Sequence, residues 1–572
     1  MRKQFVVVVL IAVTLAACAP QNRAQVQPVA TSATAQPSRL LNIAVRLEPA
    51  SLATKVLGQP GGGLATAKAL FNAWVAQPND QNVMIPVLVE TLPALNTAGW
   101  QVFADGRMET TYTLKRNLAW HDGTPLTPDD FVFSAGVFMN PEFGLSRVAP
   151  FYAMEDVVAV DDRTFMIRWS RPYADAGHIS SRNDEFAPLP RHLLGRPYAE
   201  LTSDTFVRQS FWSRDYVGSG PYRLDRWEPG AFLEATAFDR YVAGRPKIER
   251  IKMTFIADPN TAMANLLAGE AHAATDNTLG LQHVVVLKRE WGSGGIVLAS
   301  LGSSYRHTFF QLRPELATPR AILDLRIRRA LAQGFDKPSI AEVVAGGEHD
   351  IAQAMLADSM FYRISEFGPA AERGAVKYPY DPRRSEQLMN EAGFQKGADG
   401  YFVGPEGRFR TGIATNYSAD FDEEIHIMAA TWRTTGFDVE ESIIPAAQAQ
   451  DAQLGASFPS MLTRTTFAGA TTMVGFTSNG IPRPENRWTG VNRGAWTNPE
   501  YDRLVSAFGS TLDREERQQQ VTQLMREFTG DLPAIPLFYL ASPFVYATGL
   551  RGPVDVPADT SNYWNIQEWE FR

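Results

Sequence analysis

Residues 118–134 read LAWHDGTPLTPDDFVFS, and how this stretch folds decides the reading of the whole chain. His121 stands beside Asp122, the pairing of a general base with an orienting carboxylate. Sequence neighbours, however, need not turn their side chains toward each other. Upstream, TTYTLKRNLAW alternates as a strand does, with Thr111, Thr113 and Lys115 on one side. Asp122-Gly123 is a turn dipeptide. Thr127-Pro128-Asp129-Asp130 then supplies an N-cap threonine, a proline in the first turn and an acidic residue three positions after the cap. Phe131, Ser134, Ala135 and Phe138 follow on one face. The stretch therefore reads as strand, turn and capped helix.

The same device recurs at Asp258-Pro259, Asp381-Pro382 and Asn498-Pro499. Each cap oxygen accepts an orphan backbone N–H, and proline takes a position whose own N–H has no helical partner. Apolar stripes follow: Met263, Leu266 and Leu267; Leu388, Met389 and Ala392; Tyr501, Leu504, Val505 and Phe508. These predict helices docked by one face. Short β-like runs lie between them without strict strand–helix alternation, so the fold class is mixed α/β. A chain of 572 residues is expected to form two or three domains. The formal charge of −8 argues against a nucleic-acid binder, which would normally need a basic face, and no nucleic-acid partner is expected.

The N-terminus is different material. Arg2 and Lys3 precede an apolar run, FVVVVLIAVTLAA, too short to span a bilayer comfortably. Leu15-Ala16-Ala17-Cys18 looks like a bacterial lipobox, and Cys18 is the chain's sole cysteine. Residues 1–17 are thus expected to be a lipoprotein signal peptide, with lipid attached at Cys18; the plain alternative is a free thiol. Loss of Arg2 and Lys3 would take the formal charge from −8 to −10. Residues 18–38, rich in Ala, Pro, Gln, Ser and Thr, cannot bury a core and read as a flexible linker of roughly 25 Å reach. A strand is expected to begin near Leu40, in LLNIAVRL.

Seven ordered segments carry a resemblance. They are ETTYTLKRNLAWHDGTPLTPDDFVFS (109–134), VGSGPYRLDRWEPG (217–230), RYVAGRPKIERIKMTFIADPNTAMANLLAGEAHAA (240–274), ILDLRIRRALAQGFDKPSIAEVVAGG (322–347), YDPRRSEQLMNEAGF (380–394), TNPEYDRLV (497–505) and LPAIPLFY (532–539). Together they resemble the family 5 extracellular solute-binding proteins of bacterial ABC importers, the oligopeptide-, dipeptide- and nickel-binding group. The resemblance implies a two-lobed periplasmic-binding-protein fold of the class II type, with a hinge and an extra domain inserted in lobe I. Lobe I would comprise 39–85, 190–305 and 540–572, the inserted domain 86–189, and lobe II 306–539. Hinge crossings would lie near Tyr305–Leu312 and Phe538–Leu540. The implied job is to enclose a peptide or peptide-like solute between the lobes and deliver it to a membrane permease driven by a separate ATPase. No catalytic residue and no cofactor belong to that role. A monomer is expected, in the periplasmic space or on the outer cell surface, anchored through Cys18.

In peptide-binding relatives an aspartate of lobe II meets the peptide's α-ammonium group. The corresponding stretch here, FPSMLTRTTFAGATTMVGFTSNG at 458–480, has no acidic residue. It offers Arg464, Thr465, Thr466 and Phe467, and a cation there would favour a carboxylate or phosphate. Gly61 and Gly62, in QPGGG at 59–63, could let backbone approach a ligand closely. Tyr305, Arg306 and His307 at the first hinge crossing are further cleft candidates, with Trp432, Arg487, Trp488, Asn492 and Trp496 from lobe II. Gln311 stands where the family often has asparagine. The eight histidines show no metal-site spacing, and neither a P-loop nor a G-x-S-x-G elbow occurs. Two other readings stay open at this point: a surface interaction or signalling protein that keeps the fold without transport, and an exported hydrolase using His121 and Asp122.

Overall fold

The computed structural model describes residues 40–572 apart from 56–64, 144–149, 182–185, 359–366, 417–421, 446–447, 449–450, 469, 487 and 558–559. The expected signal peptide, Cys18, the linker, Gly61, Gly62 and Arg487 lie outside the described residues. Among the described residues no helix is long and apolar enough to cross a membrane.

Ten strands form one sheet: β1 (Leu40–Val45), β2 (Tyr222–Glu228), β3 (Phe232–Ala237), β4 (Arg250–Phe255), β5 (Ala273–Thr275), β6 (Gly295–Phe310), β7 (Arg410–Asn416), β8 (Asp438–Ile444), β9 (Met461–Phe467) and β10 (Ala534–Ala547). Their order is β8-β7-β9-β6-β10-β5-β1-β4-β3-β2. Two long antiparallel strands, β6 and β10, join the halves. They pair from Gly295–Ala547 to Leu301–Ala541, and again from Tyr305–Tyr539, with one register shift between these runs and a second between Arg306 and His307. The sequence supplies the cause of the first. Gly302-Ser303-Ser304 on one strand and Ala541-Ser542-Pro543 on the other are weak strand formers set between apolar, β-branched runs.

Both faces of each half are covered. Leu41, Ile43, Ile251 and Met253 pack into a core that continues into a four-stranded antiparallel sheet of residues 100–102, 108–113, 164–169 and 154–159. Ala44, Ala274 and Val545 face the other way, against Ala262 and Leu266. In the second half, Phe310, Ile413 and Met461 join one core, while Tyr305, Phe309 and Leu462 join another. This is the two-lobed α/β fold.

The capped starts form helices α2 (Pro128–Met139), α3 (Pro259–Leu267), α4 (Pro382–Glu391) and α6 (Pro499–Ser510), with α1 at Ala65–Phe71 and α5 at Asp422–Thr435. Asp258 accepts from Thr261 N–H at 2.7 Å and Asn498 from Tyr501 N–H at 3.0 Å. Asp130 does more than close its helix start. It accepts from Thr127 N–H (2.9 Å), Trp120 Nε1 (3.2 Å) and Arg191 N–H (2.9 Å), tying cap, turn and the next helix together. The strand before the turn ends at Thr113, and Asn117, four residues on, takes a left-handed φ of 60°.

His121 and Asp122 do not pair. His121 N–H donates to Gly218 O (2.9 Å), its Nδ1 accepts from Gly218 N–H (3.1 Å), and Nε2 donates to Gly220 O (3.1 Å). Burial drives its pKa down to about 4, so the ring is neutral. Asp122 instead meets His192 Nε2 at 2.7 Å and caps Thr124 N–H. The glycines of the G-S-G segment are required by contact: a Cβ on Gly218 would lie 1.9 Å from Phe71 O. Two segments distant in sequence, WHDGT and VGSGPY, are thus one docking joint against the end of α1.

Candidate ligand-binding cleft

The strand registers fix where a cleft must lie. In the first half, Ala273 and Ala274 of β5 meet Tyr546 and Val545 of β10, so β5 and its parallel neighbour β1 run toward the crossover. In the second, Phe467 at the end of β9 pairs with Ser304, and β7 runs parallel to β9. The carboxyl ends of the parallel strands face the crossover from both sides, which is where open α/β sheets hold ligands. Leu47, 62% exposed two residues beyond β1, and Phe467, 70% exposed, leave apolar surface open there.

On the paired strands Tyr305 lies opposite Thr466, Arg306 opposite Thr465 and His307 opposite Arg464. Alternation puts Tyr305, His307, Arg464 and Thr466 on one face, Arg306 and Thr465 on the other. Arg306 is closed off. Its guanidinium forms a buried ion pair with Glu424 of α5 and donates to Thr415 Oγ1 and Thr465 Oγ1, each at 3.3 Å. On the opposite face some buried polar atoms have no partner among the described residues. His307 Nε2 meets Thr466 Oγ1 at 2.9 Å, but its Nδ1 has no partner among the described residues. Burial, with Arg306 and Arg493 adding to it, drives the His307 pKa down to about 3. The Tyr305 ring lies 4.7 Å from His307, and burial raises its phenol pKa while its hydroxyl stays unpartnered.

Arg464 Nη2 donates to Asn416 Oδ1 at 3.0 Å, while its Nε is sealed from solvent without an acceptor. Arg493 Nη1 is likewise buried and unpartnered. The two guanidinium groups converge: a Cβ on Gly455 would stand 2.7 Å from Arg493 Nη1 and 3.0 Å from Arg464 Nη2. Burial first, then Arg493 and Arg306, lower the Arg464 pKa to about 10, and burial lowers that of Arg493. Among the described residues no carboxylate contributes to the charge balance of either group.

The structure thus brings Arg464, Thr465, Phe467 and Tyr305 onto adjoining strands. Trp488 sits apart, in the turn after 484–486, with its N–H on Arg483 O at 2.8 Å. Three other candidates are core residues. Trp432 is fully buried, donates to Leu331 O and stacks on Phe335; Trp496 donates to Asp531 Oδ2; and Asn492 spends its amide on the carbonyls of Phe476, Thr477 and Trp496. Gln311 is also internal, donating to Phe458 O (2.7 Å) and Ala456 O (3.3 Å). Arg493, Asn416 and Glu424 are absent from the sequence-based candidates. Only strand pairing and the return of residues 454–456 bring them to β9. Among the described residues no group of three or more His, Cys, Asp or Glu is placed to hold a metal ion.

The sequence profile of the bacterial extracellular solute-binding proteins, family 5 (middle), matches residues 90–481. The oligopeptide-binding protein AppA of Bacillus subtilis is 24% identical over 541 residues, 91% of this chain and 94% of AppA. NikZ from Campylobacter jejuni, solved with Ni(L-His), superposes with a TM-score of 0.72 at 22% identity, over 94% of this chain and 100% of NikZ. B. subtilis AppA, solved with a nonapeptide, gives 0.67 at 19% identity, over 93% and 99%. A nickel complex and a nonapeptide share this architecture, so the likeness carries the fold and not the ligand. The family consists of binding proteins, not enzymes, and the neutral, backbone-tethered His121 agrees with that. With well over half its length matched, this chain belongs to the bacterial extracellular solute-binding proteins of family 5.

Proposed function

We propose that the protein is the solute-binding component of an ABC importer, enclosing a peptide or peptide-like solute between its lobes and handing it to a permease powered by a separate ATPase. The observation that carries this reading is the crossover: two strands, weak in β-forming residues at one point, join halves whose strand ends face each other. Such a joint can absorb a change of angle while each half keeps its own core. The naming of relatives as oligopeptide- and dipeptide-binding proteins supports a peptide-like solute. In this reading lobe I comprises 39–85, 190–305 and 540–572, the inserted domain 86–189, and lobe II 306–539. The chain works as a monomer held at the membrane by lipid on Cys18.

Thermal melting of the exported chain against a peptide library tests the solute class. A captured peptide raises the melting temperature in proportion to ln(1 + [L]/Kd). A rise with a non-peptide solute and with no peptide would sink the peptide assignment. Cys18→Ala should release the protein from membranes; unchanged membrane retention would refute the lipid anchor.

A further inference from the structure

The Arg464 face of β9 has an unresolved charge balance. Arg306, on the opposite face, has a carboxylate; Arg313 spends its guanidinium on Gln311 Oε1 and the carbonyls of Ala456, Arg493 and Pro482. Arg464 and Arg493 have neither solution. Their nitrogens Nη2 and Nη1 close on one point beside Gly455, two like charges brought together with buried N–H groups left unused. Among the described residues Asn416 Oδ1 is the one acceptor that Arg464 finds, and His307, the next polar group on this face, is held neutral. Desolvating a guanidinium without a counter-charge is unfavourable, and an oxyanion between two such groups would reverse the sign of the interaction. Both arginines are only half-buried, and Arg464 lies three residues in from the cleft end of β9, so a solute entering the cleft can reach it.

We propose that the captured solute is anionic, and that a carboxylate or phosphate of the solute seats between Arg464 and Arg493. This rests on the solute-capture reading above and narrows it to a class. The exposed Phe467 and Leu47 at the strand ends suit an apolar remainder of the same molecule.

The test has two arms on the full exported chain. In the first, melting temperature is measured in sodium phosphate, sodium acetate and sodium chloride at equal ionic strength, for wild type, Arg464→Gln and Arg493→Gln. Wild type should melt higher in phosphate or acetate than in chloride, and both variants should lose the difference. Which anion acts separates a phosphate site from a carboxylate site. In the second, native mass spectrometry identifies the solute retained by protein from its own cells, and its affinity is measured for wild type and Arg464→Gln. An acidic solute that loses about tenfold or more in affinity supports the site. No anion-specific rise, with a neutral or cationic solute held equally by Arg464→Gln, overturns the anion site and leaves solute capture standing. An anion-specific rise with no solute held by either form overturns capture instead.

Discussion

Two buried histidines mark the contrast between the joint at 120–124 and the cleft face of β9. His121 has both ring nitrogens and its backbone N–H engaged by Gly218 and Gly220, and the glycines have no space for a side chain. Among the described residues His307 has one nitrogen on Thr466 and one idle, next to Tyr305 with an idle hydroxyl and two arginines with idle N–H groups. Native interiors satisfy nearly all buried polar atoms, so a fully satisfied cluster is read as architecture and an unsatisfied one as a place for something not yet bound. The same contrast divides the arginines of one strand pair: among the described residues Arg306 has Glu424 and Arg464 has an amide alone.

The sharpest way to break the contrast is to make Arg306 resemble Arg464. Glu424→Ala leaves a guanidinium buried without its carboxylate and should destabilise by about 4 kcal/mol in urea unfolding. A loss under about 1 kcal/mol would show that unpartnered arginines are tolerated in this lobe generally, and the Arg464 argument would lose its force. Next comes the joint itself. Gly218→Ala drives a Cβ into the Phe71 carbonyl, where no flexible side chain can yield, and should cost about 3 kcal/mol. Preserved stability in that variant would mean the turn and the G-S-G segment are not rigidly docked.

A smaller effect, confined to acid, separates His121 from an ordinary surface histidine. Its folded pKa of about 4 lies below the usual 6.5, so between these values the unfolded chain takes up a proton that the folded chain refuses. Stability from His121 is therefore present above pH 6.5 and is lost as pH falls toward 4, by about 2 kcal/mol at pH 5. His121→Asn should flatten the slope of unfolding free energy against pH by nearly one proton in this window. Identical slopes would place the ring in contact with water.

The joint was readable in the sequence and the cleft was not, for a physical reason. Helix starts, D-G turns and alternating strands are local: Thr127, Asp130 and Gly123 act on neighbours within a few positions, and the pattern reveals them. His121 already depends on Gly218, nearly a hundred residues away, and the sequence supports only the negative statement that it need not face Asp122. The cleft is wholly non-local. Arg464, Asn416, Arg493 and Gly455 come from four separate stretches, brought together by β9 pairing with β7 and by a return of the chain at 454–456. Trp432, Trp496 and Asn492 show the converse, since large or polar residues in the right stretch of sequence proved to be interior. What the sequence could show at 458–480 was a missing carboxylate; the fold adds the second arginine that makes the absence matter.

The smallest expected effect is the most discriminating. Arg464→Met, in ligand-free protein in chloride buffer, gives up one hydrogen bond to Asn416 and keeps much of the aliphatic packing. It also removes a partly desolvated cation that faces Arg493 and has no carboxylate partner. The two should nearly cancel, leaving stability within about 0.5 kcal/mol of wild type or slightly above it. A structural arginine cannot behave this way: Arg328, whose guanidinium donates to the carbonyls of Ile322, Leu323, Asp531 and Leu532, would leave four acceptors stranded on removal. If Arg464→Met lost about 2 kcal/mol or more, Arg464 would be a tie of the same kind, and the unused N–H groups beside Gly455 would belong to the lobe's own packing.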